Sequence, residues 1–283
     1  MVLSRRALLL MSNIAPREAQ RERTRMKIVV LAKHVPDATG ERSFAADGTV
    51  DRASSDGLLS ELDEYAVEQA LQIADERDDV EVVVMTLGPQ DAADALKRAL
   101  QMGASAGIHI VDDAVHGSDA LATSAILAEA IKKAAPDLVI CGMASTDGTM
   151  GAIPAMIAER LGWPAATLGA TLSLADDRVS IRRDDDVASF TIEASLPAIV
   201  SVTDQSGEAR YPSMKGILAA KKKPVEAWAL ADLGFDATSV GLDAAWSKVL
   251  QTTPRPPKEP GRVVQEEDGA PALIDFLAAG KYI

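Results

Sequence analysis

The sequence predicts an α/β fold. A doubly wound, mostly parallel sheet carries helices on both faces, with an antiparallel edge ribbon and an extended C-terminal arm. Three observations carry that expectation. Short β-branched apolar runs alternate with helix-period segments as far as Gly162, which is the order that βαβ crossovers produce. The runs are apolar almost throughout, as suits strands buried on both faces. After Trp163-Pro164 the pattern changes to short alternating segments separated by aspartates, as in antiparallel ribbons.

Lys27 to Ala32 (K-I-V-V-L-A) is the first buried strand, and Pro36 prevents its simple continuation. Ala38 to Leu58 is polar, with an Asp47-Gly48 turn, and loops of that length inside a domain are usually functional. Leu62, Ala66, Ala70, Ile73 and Ala74 mark a helix face, with acids in the first turn where the helix dipole favours them. Val80 to Leu87 is a second strand. Gly88-Pro89 then opens a helix whose Leu96, Ala99 and Leu100 face inward, and Gly103 ends it. Ala106 to Val111 is a third strand. Ser118 caps a helix through Ala134 whose face carries Leu121, Ala125, Ala128 and Ile131. Thr167 to Leu174, Arg178 to Arg182 and Ala188 to Ala194 are the ribbon, and Ala198 to Thr203 is a last buried strand.

The chain is organised around Asp137 to Gly162. Leu138 to Cys141 reads as a buried parallel strand, and Ile153 to Leu161 as an amphipathic helix stopped by Gly162. Between them lie Gly142, Ser145, Thr146, Asp147, Gly148, Thr149 and Gly151. A glycine-rich turn from strand into helix presents backbone N–H groups at the positive helix end, an anion site, and small hydroxyls add donors. An ordinary strand-to-helix connection would read the same way. The Rossmann and P-loop fingerprints are both absent. In doubly wound sheets ligands sit beyond the carboxyl ends of the strands, so Leu31-Ala32, Leu87-Gly88 and Gly142 to Thr149 should line one crevice.

Composition removes several function classes. A net charge of −13 repels nucleic acid and anionic lipid. One cysteine, Cys141, precludes an internal disulfide and a cysteine zinc cluster, and a reducing cytoplasm fits. Three scattered histidines make no metal site, and no run approaches the roughly 20 apolar residues that span a bilayer. Residues 1–25 are expected to be a disordered leader or a wrongly included start. Residues 26–250 should form the nucleotide-binding α/β domain. Residues 251–283 open proline-rich and charged and should form an arm that lies on this domain or on another chain. Arg210 to Pro224 (R-Y-P-S-M-K-G-I-L-A-A-K-K-K-P) is basic on an acidic protein, with Met214, Ile217 and Leu218 at helical spacing. Apolar side chains ringed by charge suit a docking patch, though a solvated helix would also fit.

In sequence order, K-I-V-V-L-A-K-H-V-P-D (Lys27 to Asp37), E-Y-A-V-E-Q-A (Glu64 to Ala70), G-P-Q (Gly88 to Gln90) and A-L-Q-M-G-A (Ala99 to Ala104) come first. They are followed by the Arg210 to Pro224 stretch and D-L-G-F-D (Asp232 to Asp236). This series resembles the β subunit of electron transfer flavoprotein, the FixA-like family, over about Met26 to Asp236. The resemblance implies a heterodimer whose α subunit holds most of a FAD and whose β subunit buries an AMP. Electrons would pass from acyl-CoA and related dehydrogenases to a membrane quinone oxidoreductase. The flavin would carry the chemistry, so the chain would be an electron carrier with no catalytic residues of its own. The family's AMP contacts correspond to Leu31, Ser60, Glu61, Leu62, Asp63, Leu87 and the loop Gly142, Met143, Ala144, Ser145, Thr146, Asp147, Gly148, Thr149, Met150. That loop is shorter here than the family's D-x-D-T-x-Q-V-G form and lacks its glutamine. The family's partner anchor falls at Met214, with Lys215, Ile217, Leu218, Lys221 and Lys222 around it. A stand-alone adenine-nucleotide-binding module of the stress type is the alternative, but it leaves the basic patch and the arm unexplained. A hydrolase on this scaffold would need a G-x-S-x-G elbow, and none occurs.

Overall fold

A computed structural model describes residues 25–40, 42–253, 256, 260, 261 and 263–283. The leader expected at residues 1–25 lies outside the described residues except for Arg25. Two units are distinguished, the first ending at Val249 and the second running Leu250–Ile283.

The first unit opens with β1 (Met26–Leu31), whose Ile28, Val29 and Val30 are fully buried. β2 (His34–Pro36) pairs antiparallel with β3 (Gly57–Leu59), closing the polar excursion between them into a loop. α1 (Glu61–Glu76) follows at once. Then come β4 (Val80–Leu87), α2 (Ala93–Met102) after a 3-10 turn, and β5 (Ala106–Ile110). α3 (Ala120–Ala134) is capped by Asp119, which accepts from the Ala122 N–H. The expected cap, Ser118, instead accepts from the Gly241 N–H. Of the face expected on α3, Ala128 and Ile131 are buried but Leu121 is exposed. Ile126, Leu127 and Ala130 take the core side instead, because the helix packs on α4 as well as on the sheet. β6 (Leu138–Gly142) is wholly buried, and α4 (Ile153–Leu161) ends on Gly162 in the left-handed region.

Thr167 to Leu174 is not one strand. Ala165–Gly169 forms β7, an edge strand of the parallel sheet. Leu168 takes φ 65° and gives its N–H to the Ser201 hydroxyl, the pairing shifts register there, and the parallel ladder ends. β8 (Thr171–Leu174), β9 (Arg178–Asp184) and β10 (Ser189–Ser195) then form a separate three-stranded antiparallel sheet. β11 (Ala198–Val202) returns to the core. α5 (Met214–Ala220) and β12 (Val225–Trp228) follow, then the single turn α6 (Gly241–Ala244).

The main sheet has the order β12-β5-β4-β1-β6-β11-β7, and every pairing in it is parallel. From β1 the chain steps through β4 to β5, then crosses back to place β6 on the other side of β1. The switch point therefore lies between β1 and β6. Strand alternation sorts the core into two layers. Ile28, Val30, Leu138 and Ile140 pack under α1 and α2, whereas Val29, Leu31, Val139 and Cys141 pack under α3 and α4.

In the second unit, α7 (Glu266–Ala279) carries Pro271 within it. Among the described residues of this unit it is the one helix, and a single helix of this length encloses no core by itself.

Candidate functional site

At the carboxyl ends of β1, β4, β5 and β6 the first unit encloses a cavity of about 640 Å³, within the range of roughly 300–1,000 Å³ that holds cofactors. Leu31, Met85, Leu87 and Leu127 give it an apolar floor. One wall is the loop from Gly142 to Gly151. The opposite wall is Asp112 to Thr123, where the chain leaves β5 and enters α3.

The structure brings Leu31, Asp63, Leu87, Gly142, Ala144, Ser145, Gly148 and Met150 together around this cavity. The other residues expected there stand behind or beside it. Ser60 is fully buried at the start of α1, and Glu61 is exposed. The Leu62 carbonyl abuts Gly142, and the Met143 carbonyl abuts Gly151. Arg42 donates to the Thr146 carbonyl at 2.8 Å, and Thr149 sits at φ 51° with its N–H on the Ser145 carbonyl. The Asp147 side chain is buried and does not line the cavity.

Asp63 is the polar centre of the floor. Its Oδ2 accepts the Lys33 N–H at 2.8 Å, and the Gly142 N–H is its second backbone partner. Burial pushes its pKa up to about 7 against those two donors. The neighbouring Cys141 thiol is also pushed up, by burial first and then by Asp63, so it is no nucleophile. The buried hydroxyls of Ser60 and Thr86 have no protein partner among the described residues.

Asp147 organises the glycine loop. It pairs with Lys33 at 2.8 Å and Arg52 at 2.9 Å and takes the Gly148 N–H at 2.6 Å. Burial works against its ionisation. The Lys33 charge and the hydrogen bonds from Lys33, Ser145 and Gly148 outweigh burial and hold the carboxyl well below its usual range. Ala32 and Gly88, expected at the strand ends, line the cavity too, whereas sequence reasoning missed Lys33, His34, Arg52, Pro89 and the Asp112 to Thr123 wall. Lys33 and His34 directly follow the carboxyl end of β1, so the switch-point rule could have found them. Nothing local marks Arg52. Among the described residues no cluster of metal ligands occurs, and no helix is long and apolar enough to cross a membrane.

The residues expected to form a docking patch lie on α5 and just after it. Met214 is 73% exposed and Leu218 60%, with Ile217 half-buried and Lys215, Lys221 and Lys222 at the surface. Gly216 lets α5 sit tightly on α2, because a side chain there would strike the Gln101 carbonyl. Two basic residues of the stretch serve the fold instead. Arg210 clamps Glu68 through two nitrogens and also reaches Asp75. Lys223 donates to the Leu100 carbonyl. Tyr211, missed in the sequence, adds an exposed ring near Arg98.

Over residues 47–233 the chain matches the electron transfer flavoprotein domain family. It is 44% identical over 263 residues to the electron transfer flavoprotein subunit beta of Mycobacterium leprae, covering 90% of this chain and 99% of that protein. The caffeyl-CoA reductase-Etf complex subunit CarD of Acetobacterium woodii is 34% identical over 240 residues, 84% of this chain and 92% of that one. The electron transfer flavoprotein subunit beta of Megasphaera elsdenii is 30% identical over 258 residues, 88% and 96% respectively. Domain match, extent and identity agree, and the chain belongs to the β subunits of the electron transfer flavoprotein family.

Proposed function

We propose that this chain is the nucleotide-burying half of a heterodimeric electron transfer flavoprotein, with AMP in its cavity and FAD held mainly by an α subunit. The observation that carries the reading is the cavity at the β1–β6 switch point, with an apolar floor, a glycine-loop wall and cationic side chains. Those features fit a nucleotide. Leu31, Met85 and Leu87 offer a planar base an apolar surface, and the loop brings small residues and the first turn of α4 to the edge of the cavity. When bound, the flavin supplies the redox chemistry. This chain's part is to bind, orient and exclude water. The cytoplasm is the compartment that the single buried thiol fits.

The patch around Met214 would dock acyl-CoA and related dehydrogenases, and the reduced carrier would pass electrons to a membrane quinone oxidoreductase without inserting into the membrane. The segment after Gln251 would lie on the α subunit. Family membership removes the ground for a stand-alone nucleotide module. A second reading of the same cavity is a dinucleotide, a second FAD. The Asp112 to Thr123 wall favours it, because it extends the cavity past the residues expected to contact AMP.

The visible spectrum of the co-purified α–β pair tests the heterodimer. A flavin spectrum that requires both chains supports it. A colourless pair, or stoichiometric flavin on this chain alone, contradicts it.

A further inference from the structure

Two cations face the cavity from the glycine-loop side and share one carboxylate. Lys33 follows the end of β1, and Arg52 comes from the excursion between β2 and β3; the Asp147 side chain lies between them. The Lys33 and Arg52 side chains are 42% and 34% exposed and line the cavity, whereas that of Asp147 is 3% exposed and does not. The carboxylate therefore stands behind and the cations in front. Two cations thus stand against the Asp147 carboxylate, with the buried Asp63 carboxyl nearby on the Lys33 backbone N–H.

Donors remain on the cavity side. A lysine ammonium has three N–H groups and an arginine guanidinium five. Lys33 Nζ reaches Asp147 at 2.8 Å and Ser145 Oγ at 3.4 Å, and Arg52 gives one nitrogen to the His34 carbonyl and another to Asp147. Three acids, Asp112, Asp113 and Asp119, line the opposite wall, and two of them have oxygens engaged by N–H groups. Asp112 accepts from Ala114 and Leu230, and Asp119 accepts from Ala122, Trp246 and Ser247. The cavity's lysine and arginine side chains thus both stand at its glycine-loop end, away from the acids of the opposite wall.

We propose that Lys33 and Arg52 form an anion subsite that takes the phosphate of the cavity's nucleotide, with Asp147 as the positioning residue that holds both cations on the wall. This rests on the nucleotide reading above and fixes which end of the cavity the phosphate occupies. Asp147 also ties the excursion carrying Arg52 to the glycine loop, so one buried carboxylate assembles a subsite from segments 95 and 114 residues away in sequence. The competing role is a plain structural clamp, which would hold the loop without touching ligand.

The co-purified α–β pair, stripped of nucleotide, is titrated calorimetrically with AMP, adenosine and inorganic phosphate. A charge-assisted hydrogen bond predicts that Lys33→Met and Arg52→Gln each weaken AMP by about 10- to 100-fold. Adenosine affinity should hold within about two-fold, and Lys33→Arg should restore most of the AMP affinity. Asp147→Asn should lower the AMP-to-adenosine preference, with Asp147→Glu recovering part of it. If Lys33→Met fails to assemble, Arg52→Gln on its half-exposed side chain carries the test. AMP unaffected, or AMP and adenosine weakened by the same factor, overturns the subsite and leaves the nucleotide site standing. Phosphate binding that depends on Lys33, in a wild-type pair that binds neither AMP nor adenosine, keeps the subsite and refutes the nucleotide reading. Binding of none of the three refutes both.

Discussion

Gly142 and Asp63 meet so closely that a Cβ on the glycine would lie 2.5 Å from the Asp63 Oδ1 and 2.7 Å from the Leu62 carbonyl. The end of β6 and the first turn of α1 are thereby packed backbone to backbone under the cavity. Gly142→Ala should cost roughly 1–3 kcal/mol, since neither obstacle is a flexible side-chain end free to move away. Thermal unfolding of the α–β pair and its nucleotide content should fall together. Unchanged melting with full nucleotide content would show room that the packing denies.

Asp63 also sets a pH dependence. Its pKa is about 7 in the fold against 3.8 for the free side chain. Below about pH 4 the carboxyl is protonated in both states and burial costs nothing. Between about 4 and 7 the unfolded chain ionises first, so stability falls as pH rises. Above about 7 the cost stays, at up to about 4 kcal/mol. Asp63→Asn loses a favourable acceptor at every pH but removes the slope. Its stability relative to wild type should therefore rise from about pH 5 to about 7.5. Burial also depresses the His34 pKa, an effect with the opposite sign that acts in both proteins and cancels in the comparison. A flat difference across that range would mean that Asp63 is ionised in the fold.

The sheet was legible because its strands carry their own signal. Val80 to Leu87 and Leu138 to Cys141 are apolar throughout, and the observed strands coincide with them to within one residue. The ribbon was less so, because Thr167 to Leu174 has one alternation but two partners, and the break at Leu168 depends on a serine 33 residues away. The cavity was half legible. Its glycine wall announces itself by composition, whereas Asp112 to Thr123 has no periodicity and becomes a wall only through the crossover from β5 to α3. The pairing of Asp147 with Lys33 and Arg52 is created by the fold alone.

On α5, exposure and packing separate two variants. Met214 is largely exposed, so Met214→Ala should leave melting and cofactor content nearly unchanged while slowing reduction by a partner dehydrogenase. An apolar knob of this size contributes roughly 1.5–3 kcal/mol when fully buried in a partner. Gly216→Ala acts indirectly, forcing the helix off the Gln101 carbonyl. It should slow reduction too, but with a lowered melting temperature. Lowered melting with normal kinetics for Met214→Ala would refute the docking role.

Truncation after Gln251 should abolish co-purification with the α subunit, while the shortened chain keeps its far-ultraviolet circular dichroism. Among its described residues the removed segment holds one helix, α7, and none is buried. Retention of the pair at full yield would place the α-subunit contact elsewhere.

The most direct measurement is acid release of nucleotide from the purified α–β pair, followed by chromatography. The account predicts AMP and FAD in equal amounts, one of each per pair. Two FAD and no AMP would assign the cavity to the dinucleotide reading instead. A pair that releases one FAD and no adenylate would contradict the central claim that this chain buries a nucleotide.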